Sequence, residues 1–136
     1  VATITAIEGI ADAKVDQLRE AGVRTTEQLL EQANTPKRRE KLAASYKVTE
    51  KQLLGWVTRA ELMRVKGVSG PSAELLVAVG ISSIKDLRGA DAEELAAAME
   101  KKNNAKKNKL VERTPSSKVV QKWIDQAKDL KPVVRP

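Results

Sequence analysis

The chain of 136 residues contains neither cysteine nor histidine. Without cysteine there are no disulfides, no thiolate metal sites and no cysteine nucleophile. Without histidine there is no imidazole general base, no histidine-containing zinc site and no Ser-His-Asp mechanism. Phenylalanine is missing as well, and the aromatic residues are Tyr46, Trp56 and Trp123, too few for the stacking platforms that hold single-stranded bases. The longest apolar run, residues 75–79, falls far short of the ~20 residues that cross a bilayer and fits a buried helix segment. The N-terminal stretch lacks a basic segment and meets Glu8 before a long apolar stretch forms, so no secretory signal is expected and a cytoplasmic location is the default. Initiator removal and trimming explain Val1 at the start equally well.

Charge is abundant and uneven. Lys and Arg number 25 against 18 Asp and Glu, a formal net charge of +7, which makes an acidic partner the first expectation. Residues 1–60 carry 10 basic and 8 acidic side chains, residues 61–100 carry 4 and 7, and residues 101–136 carry 11 and 3. The excess lies in Lys101, Lys102, Lys106, Lys107 and Lys109, with a second knot at Lys37, Arg38, Arg39 and Lys41. The first run reads as a solvated, partly frayed segment, and the knot as the wet face of a helix diluted by Glu40.

Self-comparison shows that a shift of 58 residues places 7–29 on 65–87 without a gap: Gly9 falls on Gly67, Leu18 on Leu76, Gly22 on Gly80 and Leu29 on Leu87. A weaker echo at a shift of 67 places Thr49, Leu53, Trp56, Val57 and Ala60 on Ser116, Val120, Trp123, Ile124 and Ala127. Each 23-residue unit reads as two short helices. Asp12 is the expected cap of the first, Gly22 its terminator, and Thr25 with Gln28 the capping box of the second. The other copy has Pro71 in its first turn, Gly80 as terminator and Ser83 as cap. Further helices are expected from Thr35-Pro36 to Tyr46, from Glu50 to about Arg64, from Asp91 to Met99, and from Thr114-Pro115 to about Leu130. Trp56 and Trp123 lie on apolar helical stripes and read as core. No alternating β pattern of useful length occurs, so the expected fold is all-α.

Ahead of each first helix stand Ile7-Glu8-Gly9-Ile10-Ala11 and Val65-Lys66-Gly67-Val68-Ser69. This pattern, followed by a short helix and Gly-[VI], resembles the helix-hairpin-helix motif. The resemblance implies backbone N–H groups that meet DNA phosphates, and the physics is sound, since glycine lets the main chain approach and a helix N-terminus offers unpaired donors and partial positive charge. In that family the hairpin most often has glycine at both ends of its triplet, whereas here the second place holds Ala11 or Ser69, whose Cβ narrows the dihedrals but keeps the N–H. Over almost the whole chain, through the run Trp56 to Val68 and the closing helix, the sequence is similar to the uncharacterised family named domain of unknown function 4332, whose name supplies no activity.

The expectation is a single helical domain over residues 1–136, with helix-hairpin-helix modules at 4–32 and 62–90 joined and closed by longer helices. The expected function is non-catalytic, sequence-independent binding of duplex DNA through its phosphates. Candidate contacts are Gly9, Ile10, Ala11 and Lys14 in the first copy and Lys66, Gly67, Val68, Ser69 and Gly70 in the second. To these are added Lys37, Arg38, Arg39 and the lysines from 101 to 109. The alternative is an adaptor that docks a protein partner through the same modules. A nucleophilic lysine is not expected, because Lys14 lies between Asp12 and Asp16, which favour its charged form. No cofactor, metal, membrane or small-molecule substrate is expected. The copies are expected to be unequal, the first meeting phosphate and the second, in the acidic middle, mainly building core.

Overall fold

The computed structural model describes residues 2–7 and 9–135, so Val1, Glu8 and Pro136 lie outside them. A 3-10 turn, Ile4–Ala6, leads into eight α-helices: α1 (Asp12–Glu20), α2 (Thr26–Ala33), α3 (Pro36–Tyr46), α4 (Glu50–Leu62), α5 (Gly70–Ala78), α6 (Ile84–Arg88), α7 (Ala92–Ala105) and α8 (Ser117–Asp129). The protein is all-α, with one isolated antiparallel bridge, Thr3 to Thr25, among the described residues.

Short polar residues start these helices by accepting from an otherwise unpaired backbone N–H one turn in. Thr25, Thr35, Thr49, Ser69, Ser83, Asp91 and Ser116 cap α2 to α8 in this way. Thr25 and Thr49 complete capping boxes with Gln28 and Gln52. The exception is α1: Asp12 is its first helical residue rather than its cap, and the cap position is held by Ala11, which has no side-chain oxygen. Three other boundaries differ from the sequence expectation. Helix α4 ends at Leu62, α7 runs on past Met99 to Ala105, and α8 starts after Ser116 rather than at Thr114-Pro115.

The 58-residue repeat is real in the backbone. Gly9, Gly22, Gly67 and Gly80 have φ of 90°, 90°, 93° and 98°, a region closed to most other residues. Matching bonds close α1 and α5: Val23 N–H donates to Leu18 O at 2.8 Å and Ile81 N–H to Leu76 O at 3.0 Å. The echo at 67 is equally exact in span, since α4 and α8 are both 13 residues long with a tryptophan at the same place. Four helices are therefore written twice, α1 to α4 and α5 to α8. From the start of its second helix to the start of its fourth the second copy has nine more residues, and the lysine run falls there.

Two apolar clusters are buried, one for each copy, with Leu62 at the end of α4 belonging to the second. Ile4, Leu18, Leu29, Leu53 and Trp56 belong to the first, and Leu62, Leu76, Leu87, Met99 and Trp123 to the second, with Met63 packed against both. Both tryptophans are core residues, as their stripes predict. Residues 131–135 then run back over both copies. Val133 and Val134 N–H donate to Glu61 Oε2 at 3.0 and 2.9 Å, and Arg135 N–H donates to Asn34 O at 2.8 Å. Glu61, only 1% exposed, also accepts from Ile84 N–H at the start of α6, at 2.9 Å.

The lysine-rich segment is more ordered than its composition suggests. Asn103 is buried: its Oδ1 accepts from Leu110 and Val111 N–H at 2.9 and 3.2 Å, and its Nδ2 donates to Val111 O at 2.9 Å. Asn103→Ala leaves those groups unpaired and is expected to cost about 2–3 kcal/mol, read as a lower unfolding midpoint in urea.

Candidate nucleic-acid interface

The first turn faces outward. Ile7 anchors it in the core and Ile10 is half-buried, while Gly9 and Ala11 are exposed. A Cβ placed on Gly9 would meet no atom within 4 Å. Ala11 gives no side-chain cap, so Lys14 N–H donates instead to Ala11 O at 2.9 Å, and the N–H groups of Asp12 and Ala13 have no acceptor among the described residues. Lys14 sits beside this end but is half-buried, donating to Tyr46 O at 2.8 Å and Gln17 Oε1 at 3.4 Å, so its charge is committed largely to the end of α3.

The second turn is only partly covered, with Lys66, Gly67 and Ser69 exposed. Gln126 of α8 brackets Lys66, accepting from its N–H at 3.0 Å and donating to its carbonyl at 3.4 Å. A Cβ on Gly67 would stand 3.1 Å from Trp123 Nε1. Val68 is buried, and Ser69 spends its hydroxyl on Ser72 N–H. Gly70 is buried against the 3-10 turn of the first copy, where a Cβ would come within 1.8 Å of Ala6 O.

The basic knot divides. Lys37 is exposed, and Arg38, also exposed, donates to Glu31 O at 2.7 Å and Asn34 Oδ1 at 3.0 Å. Arg39 corrects the sequence expectation: it is 3% exposed and donates to Ala33 O at 3.0 Å and to the Arg135 carbonyl. Burial lowers its pKa from the ordinary value and Glu50 partly opposes this. It ties the C-terminal residues to α2 and offers nothing to a surface ligand. Lys101, Lys102, Lys107 and Lys109 are exposed and Lys106 is half-buried, all around the C-terminal end of α7.

A hollow of about 340 Å³ opens beside the first turn, lined by Gly9 and by Lys51, Gln52, Gly55, Trp56 and Arg59 of α4. Lys51, Gly55 and Arg59 are four residues apart and so share one helix face. The four-residue spacing was readable in the sequence, but its position against Gly9 was not.

A family model described as domain of unknown function (DUF4332) matches residues 8–130. Neither a curated protein nor a solved structure matches the chain.

Proposed function

We propose that this chain, which belongs to the DUF4332 family, binds the phosphates of duplex DNA without regard to sequence and without catalysis, using its first helix pair as a helix-hairpin-helix. The observation that carries the reading is the uncapped start of α1 beside the open, positive-φ Gly9. Among the described residues, seven helices bond one first-turn N–H to a cap side chain, whereas α1 starts at Ala11 without one, next to an exposed Gly9. Open donors with partial positive charge suit an anion. Phosphate contacts of this kind position a duplex without reading bases. The exposed lysines after residue 100 add a diffuse field that favours approach of a polyanion.

Fluorescence anisotropy of a labelled random duplex, titrated across salt, tests the reading. Affinity is expected to fall on a log-log plot with a slope of about −0.9 per phosphate neutralised. Ala11→Asp is the informative variant. A carboxylate at this cap position, where φ is −66° and ψ 148°, strengthens α1 and fills the same donors with negative charge. The expected result is binding about tenfold weaker together with a Tm raised by about 3 °C. No binding of wild type at about 50 mM salt overturns the proposal.

A further inference from the structure

We infer that the hollow between Gly9 and α4 is a seat for one backbone phosphate, with Arg59 as its principal cation and Lys51 at its rim; this deepens, and rests on, the duplex-binding reading. Three features of α4 converge there. Gly55 occupies a helix interior, where glycine is disfavoured, and it clears the path of Arg59: a Cβ at Gly55 would stand 3.3 Å from Arg59 Nη1. The Nε of Arg59 is buried and has no hydrogen-bond partner among the described residues. Lys51 lies in the first turn of α4, the end of a helix that a cation does not favour. Gly55 and the unpartnered Arg59 Nε are accounted for together by an anion in the hollow, while Lys51, whose counterpart Lys118 holds the same place in α8, adds only charge at the rim. A water takes about 30 Å³, so about 340 Å³ admits a phosphate group with its neighbouring waters.

The second copy shows what the same place looks like when it is closed. At a shift of 67, Arg59 corresponds to Gln126, which binds both backbone groups of Lys66, while Trp123 stands against Gly67. In the first copy the matching tryptophan, Trp56, is also a core residue but does not come within 4 Å of a Cβ at Gly9, and a guanidinium replaces the amide. The guanidinium fork matches two phosphate oxygens at once, which an amide does not.

The experiment is duplex binding across salt for wild type, Arg59→Gln, Lys51→Gln and Gly55→Ala. Arg59→Gln installs the residue that the second copy tolerates, so the fold is retained. It is expected to weaken binding about tenfold and to reduce the salt slope by about 0.9. Lys51→Gln gives a smaller loss of affinity. Gly55→Ala moves the guanidinium by a few tenths of an ångström while improving the helix, with Tm raised by about 3 °C and a smaller loss of affinity than Arg59→Gln. If wild type binds and these variants keep its affinity and slope, the seat is refuted and the first turn remains as the contact. If wild type does not bind, both readings fall. If Arg59→Gln unfolds the protein while Gly55→Ala binds like wild type, Arg59 is a structural clamp and the inference is overturned.

Discussion

Glu61→Ala is expected to lower the unfolding free energy by about 4 kcal/mol, equivalent to roughly 12 °C in Tm for a chain of this size. The carboxylate is almost wholly buried and accepts from three backbone N–H groups, at Ile84, Val133 and Val134. Truncation leaves three donors without acceptors in a place water does not reach, and that desolvation, rather than lost charge, dominates the cost. Glu61→Gln keeps the shape and isolates the cause. Its amide has one acceptor oxygen, so an N–H₂ must face at least one of the backbone donors, and a loss of about 2 kcal/mol is expected. Hydrogen exchange reads the location: amides of residues 133–135 should exchange much faster in both variants. Unchanged protection there, or a neutral Glu61→Ala, shows that Glu61 does not hold this segment.

Gly70→Ala is expected to cost about 3 kcal/mol or more, by a different mechanism. A Cβ at this position lies 1.8 Å from the carbonyl oxygen of Ala6, a backbone atom with no rotamer to escape into. Ala6 belongs to a 3-10 turn pinned by Ile4 N–H to Arg24 O at 3.1 Å and Ile7 N–H to Ile4 O at 3.1 Å. The two copies must therefore move apart. Gly89→Ala is the control: its φ is −87° and its Cβ would meet Asp86 O at 3.8 Å, an ordinary contact, so stability should barely change. Equal thermal melts for the two variants contradict a tight junction between the copies.

The helices were legible because their punctuation is local. Thr25 with Gln28, Ser83, and the glycines at 22 and 80 act within one turn of themselves, and the structure uses them as the spacing implies. Asp12 misled because the same residue type is favoured both as a cap and just inside a helix, and only the path of the preceding chain decides between them. Arg39, Glu61 and Asn103 were hidden for another reason. In a chain that is 32% charged, a polar residue reads as surface by default. What buries Arg39 is a carbonyl 96 residues away, and what buries Glu61 is a pair of amides more than 70 residues away. The candidate interface was half visible. Gly9 and Ala11 announce a turn from sequence, but the inequality of the two turns depends on Trp123, Gln126 and Ala6, which sequence separates from the second turn by about 60 residues.

The return of residues 133–135 across both copies sets a timetable for synthesis. A nascent chain grows from its N-terminus, and its early units can fold before later ones exist. When α1 to α4 have emerged, Arg39 has the Ala33 carbonyl but not that of Arg135, and Glu61 has none of its three amides, which follow at Ile84, Val133 and Val134. The first copy must therefore wait, with a cation and a carboxylate incompletely paired, until the far end of the chain arrives to cover them both.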